Sequence, residues 1–346
     1  MIDSIVKELE IRKNYLPSPV STIYFGGGTP SLLEPGEIHQ LLSCVFKNFR
    51  MEAHPEITLE ANPDDITAAY LKELKNAGIN RLSIGVQSFF DRHLSFLGRR
   101  HTAEQAQKAV GFAQESGFQN ISMDLIYGIP GMTLPEWEEN LRKAIKTGIP
   151  HISAYHLTFE KGTPLYQQVE AKRVLPVDEE ESLRQMKILK KITQENGFIH
   201  YEISNFGKKT RFSRHNCLYW KQEAYLGAGP SAHSYNKTSR QWNIADADDY
   251  IQALFNNTIA CSSEIPDITD RYNELIMTGL RTIWGVNLHE VQKTFGDEIF
   301  KHFCRISQKY LKTGRMKKIN HNFVLTDRGQ MIADRIMADI FYDKKG

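Results

Sequence analysis

The feature that most constrains the fold of this chain is a regular alternation of strand-like and helix-like segments between residues 22 and 203. Short runs rich in β-branched and aromatic residues are each followed by a longer amphipathic stretch. This alternation is typical of a parallel sheet covered by helices. We predict an α/β fold, a partial (β/α)6 TIM-like barrel, with strands at 22–25, 56–60, 81–86, 121–126, 151–157 and 198–203.

Three consecutive glycines, Gly26, Gly27 and Gly28, follow the first predicted strand, and Thr29 after them is a candidate helix N-cap. Because glycine has no side chain, a ligand can lie directly against the backbone at this turn. Bare N–H and C=O groups can hold a zwitterionic head group. The alternative is that the glycines only make a tight connection between a strand and a helix.

Polar side chains occur where successive predicted strands end. Glu60 ends the second strand, Gln87 follows the third, Asp124 lies in the fourth, and Arg99 lies in the loop after Gln87. Ligand sites of parallel α/β folds lie at the carboxyl ends of the strands. We expect these residues to line one crevice with the glycine turn, although each alone is also explained as a capping or turn residue.

Composition excludes some classes of function. The 346 residues contain 43 Lys and Arg against 41 Asp and Glu, so the overall charge gives no case for nucleic-acid or membrane binding. We find no apolar run of spanning length and no signal peptide, and predict a cytoplasmic protein. The four cysteines, Cys44, Cys217, Cys261 and Cys304, lie far apart and are predicted to be reduced and structural.

The pattern changes after residue 205, so we predict three segments: a barrel at 1–205, a connecting segment at 206–266 and a domain at 267–346. Residues 214–235 are dense in aromatic residues, histidine and glycine without a clean period, and are predicted to form a packed loop. The last segment has helices followed by a hairpin, which is typical of a winged helix. Such modules can bind DNA, but acidic residues balance the Lys and Arg here, so a structural or lid role is favoured.

Several segments resemble motifs of the radical S-adenosylmethionine (SAM) family. They are YFGGGTPS, LEANP, GVQSF with LGRRH after it, MDLIYGIPG and LTFEKGTPL, and together they cover most of residues 21–165. The resemblance is to the branch that contains oxygen-independent coproporphyrinogen III oxidase and the heme chaperone HemW. The segments RHNCLYW and YLGAGPSAHSY are similar to the HemW side, where an HNxxYW motif is typical.

The resemblance implies a SAM site made of Gly26, Gly27, Gly28, Thr29, Glu60, Gln87, Arg99 and Asp124. The glycine turn and the threonine would line the methionine moiety. Glu60 would accept from the amino group or the ribose, and the last three residues match positions that bind the ribose and the carboxylate. The chemistry is consistent, because carboxylates suit an ammonium and hydroxyls, and an arginine fork suits a carboxylate.

The resemblance also implies a HemW-like heme chaperone that binds heme and SAM and delivers heme to acceptor proteins. His215 is the candidate axial ligand, and Tyr219 and Trp220 could pack on the porphyrin. The alternative for His215 is a hydrogen bond within a packed loop. The alternative function is oxidative decarboxylation of coproporphyrinogen III. We expect no nucleic-acid partner and no integral membrane segment, and leave a homodimer open.

The chain departs from the family in one respect. The CxxxCxxC motif that holds a [4Fe-4S] cluster in the family, ahead of the helix with which this chain begins, does not occur in this sequence. Cluster ligation needs thiolates that converge on one site. We expect an N-terminally shortened form, or alternatively a degenerate homologue. We therefore predict no metal ligands, no catalytic residues and no radical chemistry in the chain as it stands.

Overall fold

The computed structural model describes residues 1–343, and the chain forms two compact units. The first unit comprises Met1–Thr22, Glu37–Pro55 and Arg214–Gly346. The second unit comprises Ile23–Gly36 and Glu56–Ser213. The last three residues of the segment predicted at 267–346 lie outside the described residues.

The largest sheet has seven strands in the order β1-β2-β3-β4-β5-β7-β6 and curls into a half-barrel. Neighbouring strands from β2 to β5 are parallel. All six predicted strands are present, which confirms the predicted α/β half-barrel. The sheet also contains β7, which is antiparallel to both β5 and β6 and was not predicted. The strands are β1 (Val20–Phe25), β2 (Met51–Ala61), β3 (Arg81–Gln87), β4 (Ile121–Tyr127), β5 (His151–His156), β6 (Phe198–Glu202) and β7 (Asn205–Lys208).

Eight helices precede or connect these strands: α1 (Ile2–Ile11), α2 (Pro35–Asn48), α3 (Ala68–Ala77), α4 (Asp91–Phe96), α5 (Ala103–Glu115), α6 (Leu134–Lys146), α7 (Pro164–Glu170) and α8 (Glu179–Glu195). Thr102 and Thr133 form capping boxes at the starts of α5 and α6. Two acidic residues, Asp64 and Asp65, precede α3. These acids lie in a short 3-10 turn, and α3 begins later because the side chain of Thr67 caps it.

The register of the parallel strands separates an apolar face from a polar face. Leu59, Leu82, Met123 and Ile152 are fully buried on the apolar face. Burial of each such side chain contributes about 1.5–3 kcal/mol. Alternate residues of the same strands share the other face, because side chains in a strand alternate between the two sides. We call this set the polar face: Thr58, Glu60, Arg81, Ser83, Ser122, Asp124, His151 and Ser153.

The first unit contains a three-stranded antiparallel sheet in the order β10-β9-β8, with α9 and α10 beside it in sequence. The prediction of a loop at 214–235 was wrong, because α9 and β8 lie within it. No side chain of α9 is fully buried, and its sequence shows no helical period of apolar residues by which the helix could be predicted. At the start of α9, Arg214 donates a hydrogen bond to Glu52 at 2.7 Å. The elements are α9 (Arg214–Trp220), β8 (His233–Tyr235), β9 (Arg240–Asn243), α10 (Ala247–Phe255) and β10 (Cys261–Glu264).

The C-terminal part of the first unit has helices and a second three-stranded sheet, ordered β11-β13-β12. Gly296, with φ of 81°, divides α12 into two halves. The predicted helices and hairpin are present, and two short helices follow the hairpin. The elements are α11 (Ile268–Leu280), β11 (Val286–Asn287), α12 (Leu288–Lys312), β12 (Met316–Ile319), β13 (Asn322–Leu325), α13 (Asp327–Gln330) and α14 (Ala333–Ile340).

A buried ionic network fastens α1 within the first unit. Glu8 is fully buried and pairs with Arg12 at 3.2 Å. Its carboxylate also accepts from Asn243 at 2.8 Å and from the hydroxyl of Tyr250 at 2.6 Å. Because a buried charge is tolerated when its hydrogen-bonding capacity is met, the network fixes α1 to β9 and α10. No helix among residues 1–343 combines the length and apolar character needed to span a bilayer.

Candidate functional site

The glycine turn presents bare backbone. Gly27 and Gly28 adopt φ of 82° and 64°, a region that disfavours residues with a side chain. A Cβ atom built on either glycine would meet no other atom within 4 Å, so open space lies beside them. Thr29 precedes a 3-10 turn, and within the described chain its side chain makes no capping hydrogen bond.

Gly26 is closely surrounded. A Cβ atom there would lie 2.6 Å from Cε1 of Tyr24 and 3.3 Å from Oε1 of Glu60. The Tyr24 hydroxyl donates to the same Oε1 at 2.6 Å. Burial, together with the neighbouring Glu60 carboxylate, raises the pKa of Tyr24, which therefore stays a neutral donor. The contact holds the Glu60 carboxylate directly beside the first glycine of the turn.

Asp124 is partly buried on the polar face. Its two carboxylate oxygens accept from the Ser83 hydroxyl at 3.3 and 3.0 Å, and Ser153 also hydrogen-bonds to it. Burial raises the pKa of Asp124 to about 6, against the lowering effect of these hydrogen bonds, and the nearby charge of Glu60 raises it further. The two carboxylates and the glycine turn therefore lie on the same side of the sheet.

A buried serine fastens the glycine turn to the loop after β2. Ser31 donates to Asp65 at 2.6 Å and accepts from the backbone N–H of Asn62 at 3.2 Å. Arg100 in turn pairs with Asp64 at 2.9 Å. These contacts connect the segment after Gly28 to the loop after Glu60. The glycine turn and the end of β2 are therefore held in a fixed position relative to each other.

Gln87 is buried in a left-handed conformation, with φ of 64°. Its side chain folds back over Gly85, where a Cβ atom would lie 2.8 Å from Nε2 of Gln87. A non-glycine residue at this φ is strained, and hydrogen bonds made by the next two residues, Ser88 and Phe89, hold the backbone in this conformation. Asn140 accepts from the Phe89 N–H at 2.6 Å and from the Ser88 hydroxyl at 3.2 Å.

The remaining predicted SAM residue, Arg99, lies in the loop after α4 and is exposed. Asp124 and Asp64 both act on it electrostatically. The structure therefore places Glu60 beside Gly26, and Asp124 within electrostatic range of both Glu60 and Arg99. The side chain of Gln87 packs instead on Gly85 of its own strand.

His215 lies in α9 of the first unit. Its Nδ1 is 2.8 Å from the hydroxyl of Thr22, and the Tyr219 ring packs edge-on at 5.0 Å between centroids. Burial lowers the pKa of His215 to about 4, so the imidazole is neutral at physiological pH. A hydrogen bond within the protein and a role as heme ligand are compatible for His215. One ring nitrogen can hydrogen-bond to the protein while the other binds a metal.

The two aromatic neighbours of His215 differ in how they pack. Tyr219 is 41% exposed and contacts the ring of Tyr225 at 4.6 Å. Trp220 instead packs under the guanidinium of Arg281, which lies 5.3 Å from its ring centre. Trp220 thus anchors α9 within the first unit, and Tyr219 is the ring that a flat ligand can reach.

The sequence prediction missed Tyr24, Ser83 and Ser153, which hold the two carboxylates. A signal for two of them exists in the sequence. The segments RLS and HIS, like SMD, place polar residues at alternate positions of a strand, which marks one shared face. Tyr24 has no such signal, because an aromatic residue in a strand is usual.

The donor set fits SAM. Bare backbone beside open space, two adjacent carboxylates and an arginine match a ligand with an ammonium, a carboxylate, hydroxyls and a sulfonium. The residues of this chain do not fit the [4Fe-4S] cluster of the family. None of the four cysteines forms a disulfide, all four lie in the first unit, and residues 1–343 hold no group of three or more His, Cys, Asp or Glu side chains suited to a metal ion.

Comparison with known proteins identifies two family regions. The model of the radical SAM superfamily matches residues 2–144, and that of the HemN C-terminal domain matches residues 267–332. The heme chaperone HemW of Bacillus subtilis is 32% identical over 327 residues, which cover 92% of this chain and 85% of that protein. HemW of Lactococcus lactis is 29% identical, covering 99% of this chain and 89% of that protein.

Among solved structures, coproporphyrinogen III oxidase (HemN) of Escherichia coli, described as a radical SAM enzyme, superposes with a TM-score of 0.81. The match covers 98% of this chain and 82% of HemN at 18% sequence identity, and it shows the shared fold. The sequence match to HemW of Bacillus subtilis, over most of both chains, shows the family. The chain belongs to the radical SAM family, in the branch of HemW and HemN.

Proposed function

We propose that this protein is a HemW-like heme chaperone that binds SAM on its second unit and heme on its first, and that it passes heme to acceptor proteins in the cytoplasm. The observation that carries the proposal is the 32% identity to a curated heme chaperone across 85% of that protein. Cys44, Cys217, Cys261 and Cys304 form no disulfide, which suits a reducing compartment.

The SAM part of the proposal rests on the carboxylates beside the glycine turn. Glu60 is oriented by Tyr24, and Asp124 is oriented by Ser83. SAM carries an ammonium and a sulfonium, and an ionised carboxylate attracts both. Gly27 and Gly28 leave room for the methionine moiety against the backbone, and Arg99 offers a fork for its carboxylate.

When bound, SAM supplies the adenosyl group from which the family generates radicals. The residues of this chain bind and orient it. We assign no radical step to them, because the described residues do not fit the cluster that delivers the electron.

The heme part of the proposal assigns His215 as axial ligand. Its low pKa keeps the imidazole in the neutral form that binds metals. The 2.8 Å contact of Nδ1 with the Thr22 hydroxyl fixes the ring orientation, and in the tautomer protonated on Nδ1, which donates to Thr22, the ring lone pair is on Nε2. The exposed ring of Tyr219 lies beside it for packing on the porphyrin.

A heme titration followed by the Soret band tests this assignment. We expect His215→Ala to shift the band and to weaken binding at least about tenfold, the usual loss for a metal ligand or its support. His39→Ala removes an exposed histidine on α2 and should match the wild type. Identical spectra and affinity for wild type and His215→Ala would remove His215 from the role.

A further inference from the structure

The C-terminal part of the first unit segregates its charges. Between Ile299 and Thr326 the sequence contains no aspartate or glutamate, whereas the chain as a whole carries a net charge of only +2. The same stretch contains seven cationic residues: Lys301, Arg305, Lys309, Lys312, Arg315, Lys317 and Lys318. A near-neutral total therefore conceals a strongly basic segment.

The second half of α12 presents three of these cations along one face. Lys301, Arg305 and Lys312 are exposed and follow the i, i+4, i+11 spacing that aligns side chains on a helix. Lys309 is different, since it pairs with Asp339 of α14 at 3.2 Å. Within residues 1–343 the other three helix cations form no ion pair with a carboxylate.

The hairpin extends this face. Lys318 of β12 is exposed, whereas Lys317 points to the other side of the strand because successive side chains alternate. β12 packs against α12, and Lys318 acts electrostatically on the thiol of Cys304, which lies between Lys301 and Arg305 in α12, so Lys318 adjoins the helix face. We call the set of Lys301, Arg305, Lys312 and Lys318 the basic surface.

The elements that carry the basic surface have the order of a winged helix. A helix (α11) and a short strand (β11) precede the two halves of α12, which precede the hairpin, and the sheet order is β11-β13-β12. In helix-turn-helix proteins the corresponding helix contacts the major groove of DNA. From Lys301 to Lys312 the helix rises about 16 Å at 1.5 Å per residue, and the groove is about 12 Å wide. The cations can thus reach the phosphates on both of its sides.

We propose that the basic surface binds the phosphate backbone of duplex DNA without reading its sequence. Asp297 and Glu298 begin this half of α12 and repel phosphates there, which leaves contact to the later turns and the hairpin. This function goes beyond heme and SAM binding and does not depend on either. A surface that attracts anions also suits an acidic membrane, but the winged-helix order favours a duplex.

Fluorescence anisotropy with a labelled 25-base-pair duplex of arbitrary sequence tests the proposal. We expect a dissociation constant on the order of 10 μM at 50 mM salt, in the range of non-specific binding. The triple substitution Lys301→Gln, Lys312→Gln and Lys318→Gln should weaken binding at least about tenfold and should lower the slope of log K against log salt by roughly 2 to 3, about 0.9 per lost contact.

A matched control separates the surface from the total charge. Lys72→Gln, Lys187→Gln and Lys191→Gln remove the same charge from exposed positions of the second unit and should leave the affinity within about twofold of wild type. The proposal is overturned if wild type does not bind, if both triple variants lose affinity equally, or if a single strand of the same length binds as tightly. Binding to phosphatidylserine vesicles but not to the duplex would also overturn it.

Discussion

The glycine-turn site of the second unit and the basic surface of the first unit handle charge in opposite ways. Glu60 and Asp124 are partly buried, and each is held by a hydroxyl, Tyr24 or Ser83. The cations of the basic surface are exposed and spread along a helix and a strand. Charges fixed in one geometry select a ligand by position, whereas distributed exposed charges select by sign. Single substitutions should therefore matter more in the first case.

The largest expected effect is at Gly26. Gly26→Val places side-chain atoms where Tyr24 and Glu60 already lie, because even a Cβ atom would come within 2.6 Å of the tyrosine ring. Overpacking costs about 1–3 kcal/mol. We expect SAM affinity to fall by up to about 100-fold. Gly36→Ala is the control, since its Cβ atom meets nothing within 4 Å, and an equal loss in both variants would contradict the packing argument.

Asp124→Asn should have the next largest effect. Loss of a charge-assisted contact of about 1.5–3 kcal/mol lowers SAM affinity roughly tenfold or more above pH 6. The wild type should lose affinity as the pH falls below about 6, because Asp124 then becomes protonated, and the variant should lack this titration. Calorimetric titrations between pH 5 and pH 8 measure both, and a pH-dependent variant would exclude Asp124 as the titrating group.

The same carboxyl group makes a stability prediction. Its pKa of about 6 in the folded chain lies above the usual value of about 3.9, so the folded state binds the proton more tightly than the unfolded state. Stability of wild type should therefore decrease as the pH rises from about 4 to about 6 and should not change further through this group. Urea unfolding of wild type and Asp124→Asn at pH 4.5 and pH 7 checks the sign, and an opposite slope would contradict it.

A smaller effect is expected at Gly85. Gly85→Ala brings a Cβ atom within 2.8 Å of Nε2 of Gln87 and displaces its carboxamide. If the carboxamide donates one hydrogen bond to SAM, the loss is about 1 kcal/mol, or roughly fivefold in affinity. Gly111→Ala in α5 is the control, with no atom within 4 Å of its Cβ. Unchanged SAM affinity in Gly85→Ala would remove Gln87 from the site.

The smallest effect is expected on the basic surface. Lys318→Gln alone should weaken duplex binding only roughly fourfold at 200 mM salt and should reduce the salt slope by about one. Anisotropy at several salt concentrations measures both. A loss as large as that at Gly26 would contradict the distinction between positioned and distributed charge.

Much of the second unit could be predicted because local sequence and tertiary structure agree there. The strands of the half-barrel are β-branched runs, and Gly78 ends α3 in the left-handed conformation that glycine favours at a helix end. The proximity of Glu60 and Asp124 follows from their places near the ends of parallel strands. In a parallel sheet, residues near the carboxyl ends of neighbouring strands lie at the same edge, so their places in the sequence predict their proximity.

The elements that were missed depend on distant contacts. β7 is a strand of four residues that includes Gly207, and a Cβ atom there would lie 2.8 Å from the ring of Phe212. α9 has no apolar period and is fastened through Arg214 to the backbone of His54. The left-handed backbone of Gln87 has no sequence signal, since glycine and asparagine are the residues expected there. The balanced total charge likewise concealed the basic surface: the sequence shows a run of cations between Ile299 and Thr326, but only the fold shows which of them share one face.

The central claim is that a glycine turn and two oriented carboxylates hold a sulfonium ligand. Equilibrium dialysis with radiolabelled SAM, competed by unlabelled S-adenosylhomocysteine, tests it most directly. We predict one saturable site per chain, weaker binding of the uncharged thioether, and loss of that preference when Glu60→Gln and Asp124→Asn are combined. Absence of saturable binding to the wild type, or an unchanged preference in the double variant, would contradict the account.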